Sequence, residues 1–316
     1  MRSNSRHGST SLRIGSSPKI RAAIRPLVDA LERRLLLSGT LPSFVQASTD
    51  ASYTLDNSTG SMVMDLNSGS MVVNADLSTA TGWSNAAVRL HNSAQIYFNS
   101  GQTLGDLELR NFSSATVALG STAASGNLLQ LSGLSIDTWS KLDLGDNAMI
   151  LHYAASQEAA DNSMVFGLLA NGYSSSDWNR HGIYSSAAAN DPSGKTALGF
   201  ADNNVLHDAS FAGVSLGDDN EILIRDTLYG DSNLDGAVAD STADDPQFQE
   251  GTNGLGTGWS FGDYNYDSIT AGAADASLFA ANANQSISQP QYQPSLQIQP
   301  LSFMIRVRRT KGGRPR

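Results

Sequence analysis

Short runs in which apolar and polar residues alternate dominate the chain from about residue 52 to residue 153. Each run places two apolar side chains on one face and the residue between them on the other, which is the period of a β-strand. Gly, Ser, Asn and Asp separate the runs, as turns between strands require. Representative runs are Met62-Val63-Met64, Val88-Arg89-Leu90, Ile96-Tyr97-Phe98, Leu107-Glu108-Leu109, Leu129-Gln130-Leu131 and Leu142-Asp143-Leu144.

This pattern predicts a mostly β fold with a β-rich body over residues 50–225. The short and fairly even spacing of the runs favours a stacked β-solenoid of a few coils, with a β-sandwich as the alternative. Residues 155–205 interrupt the rhythm. Within them, residues 163–169 are predicted to form a short helix and residues 178–200 long surface loops. Residues 221–225 predict a strand that closes the body.

The segment 93–109 runs from one strand pattern through Gly101 and Gly105 into the next. In this order of features it resembles autotransporter-associated β-strand repeats. Those repeats belong to bacterial surface and adhesion proteins. The resemblance therefore implies that the β-rich body has a surface or adhesive role.

The N-terminal 40 residues are basic, and residues 20–35 place apolar side chains at helical spacing between arginines. Such a segment is typical of a helix that lies on an anionic membrane surface. The string from Leu31 to Gly39 resembles the LEPR-XLL motif near the N-termini of large exported bacterial proteins, with Arg33 where that motif has Pro. The resemblance implies export to a secreted or cell-surface location, and an ordinary surface helix is the alternative.

Charge is segregated along the chain, whose net charge is −10. Residues 35–305 hold 28 of the 30 acidic side chains and six of the 20 basic ones, which gives them a net charge of −22. This charge repels nucleic acid and favours divalent cations.

The chain has no cysteine, which excludes disulfides and thiolate metal sites. No apolar run is long enough for a transmembrane helix, and residues 286–316 are predicted to be a Gln- and Pro-rich linker followed by a basic tail.

No catalytic constellation stands out in the sequence. The five histidines do not have the spacing of a metal site, and neither a Gly-x-Ser-x-Gly elbow nor a phosphate-binding Gly-Lys-Ser/Thr loop is present. We therefore predict no catalytic residue, although paired carboxylates stay possible. Trp83, Trp139 and Trp178 have the chemistry to stack on sugars, but we expect such single tryptophans to lie in the core.

Two segments have the pattern of a calcium-binding loop. Oxygen-bearing side chains alternate along residues 230–238, and the same Gly-Asp-x-Asn-x-Asp pattern returns 32 residues later at residues 262–269. Calcium is a hard cation that takes six to eight oxygen ligands, which a tight loop of carboxylates and amides supplies. The candidate side-chain ligands are Asp231, Asn233 and Asp235 in the first loop and Asp263, Asn265 and Asp267 in the second.

The tandem loops resemble the duplicated segments of type I dockerins, and the resemblance covers residues 226–285. It implies Ca²⁺ as cofactor and a cohesin-like protein as partner. The sequence departs from the dockerin pattern at the closing carboxylate, which we assign to Asp244 and Asp275, with Asp240 and Asp245 as competitors in the first loop. The turn glycine also has no counterpart in the second loop. An Asp/Asn-rich turn without metal is the alternative.

The expected protein is a secreted or surface structural or adhesion protein that carries a calcium-ordered docking module. Its expected partner is a cohesin-like protein or a surface polysaccharide. A carbohydrate-active enzyme anchored through the module is the second hypothesis, and a carboxylate pair in a groove of the body would favour it. A third is that the module only stabilises the end of the chain.

Overall fold

The computed structural model describes residues 40–58, 60–119, 126–217, 219–239 and 244–288. The basic N-terminal segment with its LEPR-XLL-like motif and the tail from residue 289 onward lie outside these residues. Strands dominate the described part of the chain, which confirms the mostly β fold. None of its helices is both long and apolar enough to cross a bilayer.

Sixteen strands and five α-helices lie in the described residues. The strands are β1 (Val45–Ala47), β2 (Ser52–Asp56), β3 (Val63–Ser68), β4 (Ser70–Val73), β5 (Ala87–Leu90), β6 (Gln95–Phe98), β7 (Gln102–Leu109), β8 (Ser114–Val117), β9 (Leu128–Ile136), β10 (Lys141–Asp143), β11 (Ala148–His152), β12 (Gly182–Tyr184), β13 (Thr196–Asp202), β14 (Ser210–Phe211), β15 (Val214–Ser215) and β16 (Glu221–Leu228). The helices are α1 (Glu158–Tyr173), α2 (Ser186–Ala189), α3 (Asn203–Leu206), α4 (Asp244–Thr252) and α5 (Ala273–Asn282).

Two mixed sheets contain most of the strands. One has the order β1-β4-β6-β8-β10-β12 and the other the order β13-β16-β11-β9-β7-β5-β3-β2. From β3 to β11 the chain alternates between the two sheets, and each strand pairs in parallel with the strand two places further along. Antiparallel pairs occur at the ends of the sheets, where β1 joins β4, β2 joins β3 and β16 lies between β11 and β13.

Each parallel pairing keeps equivalent apolar residues in register, so columns of buried side chains run across the strands. In the eight-stranded sheet Leu66 lies beside Leu90, and Leu90 beside Leu109. In the six-stranded sheet Met71 lies beside Ile96 in the same way. All five side chains are buried in one hydrophobic cluster. The alternation in the sequence is thus the consequence of strands with one face on this core.

Residues 178–200 are not the surface loops that the sequence predicted. They contain β12, α2 and β13, and Trp178 is buried. Their small residues reflect close packing: a Cβ on Gly172 would lie 1.9 Å from the carbonyl oxygen of Ile183, and one on Gly182 would lie 2.3 Å from that of Leu168. Helix α1, which is longer than the predicted helix at 163–169, therefore packs directly against β12.

The C-terminal part of the chain packs against the body instead of standing apart from it. Strand β16 runs through residue 225, where we placed the end of the body. The ring of Tyr266 contacts those of Phe166 and Phe200, and its hydroxyl donates a hydrogen bond to the carbonyl oxygen of Leu198 in β13. Trp259 lies against Gly199, where a Cβ would come within 2.8 Å of the indole ring. The two parts share one hydrophobic core.

Candidate calcium loops

The first loop is held by the carboxylate of its opening residue, Asp231, which is fully buried. Its Oδ1 accepts a hydrogen bond from the backbone N–H of Asp235 at 3.0 Å, and its Oδ2 accepts one from Gly236 at 2.9 Å. The hydroxyl of Thr227 also donates to Oδ2. Asn233 Oδ1 accepts from the backbone N–H of Asp235 at 3.0 Å, which closes the turn.

The second loop repeats the backbone hydrogen bonds of the first. Asp263 Oδ1 accepts from the N–H of Asp267 at 3.1 Å, and its Oδ2 accepts from Ser268 at 3.0 Å. Asn265 Oδ1 accepts from the N–H of Asp267 at 2.9 Å. Asp235 and Asp267, the third oxygen-bearing side chains of the two loops, also make equivalent hydrogen bonds. Asp235 Oδ1 accepts from the backbone N–H of Ala237 at 2.9 Å, and Asp267 Oδ1 accepts from that of Ile269 at 2.7 Å.

These bonds show that the turn residue of the second loop has been replaced and not lost. Ser268 takes the place of Gly236, and both have a positive φ, of 66° and 91° respectively. The sequence pattern alone would align Ile269 with Val238 as the apolar residue that anchors each loop to the core. The bonds instead make Ile269 the counterpart of Ala237, and its side chain is 62% exposed. Asp244 lies 13 positions after Asp231 and Asp275 lies 12 after Asp263, so the one-residue difference between the loops falls after these turns.

The structure brings Asp244 and Asp275 to the two loops in the same way. Asp244 Oδ1 accepts from the N–H of Ser232 at 2.7 Å, and Asp275 Oδ1 accepts from the N–H of Tyr264 at 2.9 Å. Both carboxylates are fully buried. Of the competitors, Asp245 instead accepts a hydrogen bond from the side chain of Gln249 within α4, at 3.4 Å. Asp240 lies outside the described residues.

Equivalent residues of the two loops also contact each other. Ser232 and Tyr264 follow the two opening aspartates, and their hydroxyl oxygens are 2.7 Å apart. Phe248 and Phe279 each lie four residues after a closing aspartate, in α4 and α5, and their rings stack with centroids 5.3 Å apart. The two loop–helix units are therefore paired face to face.

Buried carboxylates give each loop an electrostatic cost that a cation would relieve. Burial is the main reason that the pKa of Asp231 is raised to about 7, and repulsion by Asp244 adds to it. Burial, with repulsion by Asp275, raises the pKa of Asp263 to about 6. Burial also raises the pKa of both Asp244 and Asp275. A divalent cation would keep such carboxylates ionised, so the donor set fits Ca²⁺ in chemistry and charge.

Within the described ranges, no group of three or more His, Asp or Glu side chains has the mutual geometry of a metal site. The carboxylates are instead directed at the backbone N–H groups of their own loops, as the bonds above show.

The sequence motif did not identify two residues that support the first loop through hydrogen bonds to Asp231. Thr227 precedes the first loop in β16, and Trp259 donates from its indole nitrogen to the carbonyl oxygen of Asp231 at 2.7 Å. Both lie outside the repeated pattern.

A cleft of about 510 Å³ lies next to the second loop, and Asp202 and Asp263 are among the residues that line it. Both carboxylates already make structural hydrogen bonds. Asp202 accepts from the hydroxyl of Tyr153 at 2.7 Å and from the amide of Asn162 at 2.5 Å. The cleft thus provides acids and aromatic walls, but its acids serve to hold the fold.

The three tryptophans considered for sugar stacking have different environments. Trp83 and Trp178 are buried, as we expected of single tryptophans, whereas Trp139 is 55% exposed.

Comparison with known protein families, curated proteins and solved structures gave no match. Any conclusion about function therefore depends on the loops and on the surface of the strands.

Proposed function

We propose that the chain is an exported structural or adhesion protein of the bacterial surface, built as a short β-solenoid with a dockerin-like pair of calcium loops at one end. The solenoid is supported by the alternation of strands between two sheets and by the parallel pairing of successive strands. Export is supported by the LEPR-XLL-like string alone. A cohesin-like protein or a surface polysaccharide is the proposed partner.

The observation that carries the calcium proposal is the equivalence of the two loops. Seven hydrogen bonds have the same donor and acceptor positions in both, including two to each of the late carboxylates Asp244 and Asp275. The bonds within each turn follow from the repeated sequence itself. Those to Asp244 and Asp275 join residues 10 to 12 positions apart, and turns that were merely rich in Asp and Asn would have no reason to repeat them. Two paired loop–helix units, each with a buried carboxylate cluster, are what calcium-ordered tandem loops require.

The test is thermal unfolding of the full chain, because the loops share their core with the body. We expect the melting temperature to be higher in millimolar calcium than in chelator, since an ion that binds only the folded state stabilises it. Asp263→Asn, which removes a ligand of one of the two proposed sites, should reduce this difference, and Asp245→Asn, which changes a carboxylate outside the loops, should retain it. An identical melting temperature in calcium and in chelator would refute the proposal.

The cleft beside the second loop favours a carbohydrate-active enzyme as the second candidate. Its aromatic walls and its acids Asp202 and Asp263 are the materials of a sugar-cleaving site. The structural role is preferred because both acids are already hydrogen-bonded within the protein. Release of reducing ends from polysaccharides, abolished by Asp202→Asn in a variant that still folds, would establish the enzyme instead.

A further inference from the structure

Three consecutive strand-to-strand turns are stacked on one another at one edge of the body. They comprise residues 91–94, 110–113 and 137–140, and the strands before and after them pair in register. In each turn the fourth residue donates its backbone N–H to the carbonyl oxygen of the first. The third position of the three turns is occupied by Ser93, Phe112 and Trp139 in succession.

Phe112 and Trp139, named here the aromatic pair, form a stack on the outside of the protein. Their ring centroids are 5.7 Å apart and their planes are inclined by 25°. Phe112 is 61% exposed and Trp139 is 55% exposed. The His181 ring makes a T-shaped contact with the Trp139 ring, with centroids 5.7 Å apart. On the other side of Phe112 the same turn position carries only the small side chain of Ser93, which leaves that ring face open.

The turn does not need this phenylalanine in order to form. Phe112 has a φ of 66°, in the left-handed region that bulky side chains disfavour, and Ser93 makes the preceding turn with the same φ. A small polar residue is therefore sufficient for the backbone. A large apolar side chain at this position lowers the stability of the fold in two ways, because its backbone is strained and because its ring is exposed to water. Such a position points to a function of the ring outside the folded chain.

A single carboxylate ties the backbones of the second and third turns together. Asp137 Oδ2 accepts from the backbone N–H of Asn111 at 2.6 Å, and its Oδ1 accepts from Trp139 at 3.0 Å and from Ser140 at 2.9 Å. The residue before Phe112 and the backbone of Trp139 are thus tied to one side chain. A preformed surface of this kind loses little conformational entropy when a ligand binds.

We propose that the aromatic pair binds neutral polysaccharide by stacking against the apolar face of a sugar ring. This deepens the proposed surface function and rests on it for the kind of ligand that the protein meets. The exposed amides of Asn92 and Asn111 lie in the same stacked turns and offer hydrogen bonds to sugar hydroxyls. The strands supply the rigid support that positions the rings.

Charge and size distinguish this ligand from the other candidates. Two of the cations near these turns, Arg89 and Arg110, are paired with Glu108, at 3.5 Å and 2.8 Å, and a third, Lys141, lies over the ring of Tyr184. Arg180 is exposed beside His181, but residues 35–305 as a whole are strongly acidic. An acidic polymer would therefore be repelled. Two aromatic rings bury about 150–250 Å² each. A stable protein interface needs about 800 Å² on each partner, so the aromatic pair matches a sugar ring and not a protein.

Tryptophan fluorescence of the full chain provides a site-specific test. Of the four tryptophans, Trp83, Trp178 and Trp259 are buried, so acrylamide should quench the emission of Trp139 selectively. We expect soluble neutral polysaccharides, with mixed-linkage β-glucan, xylan and galactomannan as probes, to protect Trp139 from quenching. Alginate and polygalacturonate, which are acidic, should give no protection.

Variants then locate the site. Phe112→Ala and Trp139→Ala should each bind the protecting polysaccharide about tenfold or more weakly in affinity electrophoresis, and Trp139→Phe should retain most of the binding. Tyr53→Ala removes an aromatic side chain, 39% exposed, on β2 and is the matched control. Circular dichroism shows whether each variant is folded, and if Phe112→Ala does not fold, Trp139→Ala and the quenching test are decisive.

Three results would overturn the proposal: no protection by any of the neutral probes, undiminished binding by both alanine variants, or protection by the acidic polymers alone. A dimer in sedimentation that dissociates in Phe112→Ala would show instead that the aromatic pair joins two copies of the chain. These failures are distinct from failure of the proposed calcium function. That failure appears as a melting temperature unaffected by calcium, whatever the quenching of Trp139.

Discussion

Exchanging the turn residues of the two loops tests whether they are equivalent in energy as well as in geometry. Ser268 has a φ of 66°, and Gly236 has a φ of 91° at the same position of the first loop. A left-handed conformation costs a residue with a Cβ about 1–2 kcal/mol. Ser268→Gly removes that cost but adds about 0.5–1 kcal/mol of chain entropy in the unfolded state. We expect a net stabilisation of roughly 0.5–1 kcal/mol from the two effects.

The reciprocal variant has the opposite sign and a comparable size. Gly236→Ser should destabilise the protein by about 1 kcal/mol, which corresponds to a decrease of about 2–4 °C in melting temperature for a domain of this size. Calorimetry in chelator measures the backbone effect alone. Calorimetric titration with calcium should then show that Ser268→Gly tightens one site and Gly236→Ser weakens one.

A lower melting temperature for Ser268→Gly, or an unchanged one for Gly236→Ser, would refute this expectation. Either result would mean that the hydrogen bonds to Asp263 and Asp231 adjust the turn at no cost. Residue 254 provides a control for the intrinsic effect of the exchange. Gly254 has a φ of 69°, and a Cβ there would meet no atom within 4 Å, so Gly254→Ser reports the strain without contacts or ligands.

Further variants address the closing ligand, the acid stability and the core. Asp275→Ala should remove or greatly weaken one of two calcium sites in isothermal titration, and two unchanged sites would disprove its assignment. Burial alone would raise the pKa of Asp191, but hydrogen bonds from Ser193, Lys195 and Thr196 outweigh it and hold this pKa well below its usual value. The stability from Asp191 is therefore present above about pH 4 and lost as the pH falls below it, so Asp191→Asn should flatten the acid limb of a stability–pH curve. Leu90→Ala, at a fully buried position, should cost about 3 kcal/mol in urea unfolding, and a loss below about 1 kcal/mol would contradict the proposed column of leucines.

Local patterns predicted the features that depend on local geometry. The run at residues 88–90 predicted a strand because one face of β5 is buried, and the Gly-Asp-x-Asn-x-Asp pattern predicted two similar turns because the side-chain oxygens close the backbone of their own loop. The full length of α1 and the strands β12 and β13 were not predicted. Their small residues are explained by contacts such as that of Gly172 with Ile183, which no local pattern records.

The aromatic pair shows the same limit at the proposed binding surface. Phe112 and Trp139 are separated by 27 residues, and nothing in either neighbourhood indicates that the rings meet. Their contact follows from the register of β7 with β9 and of β8 with β10, which places both at the third position of stacked turns. Once that register is known, Asp137 can be seen as the group that ties the two turns together.

The position of the loops bears on the hypothesis that they stabilise the end of the chain. Strand β13 is an edge strand of the eight-stranded sheet, and an uncovered edge invites pairing with another chain. Leu234 and Tyr266 occupy the same position in the two loops, and both reach β13: Leu234 contacts Gly199, and the hydroxyl of Tyr266 bonds to the carbonyl oxygen of Leu198. If calcium orders the loops, as we propose, it also orders the cover of this edge. Docking and stabilisation are then not alternatives, because the same two loops that would present α4 and α5 to the proposed partner also protect the sheet.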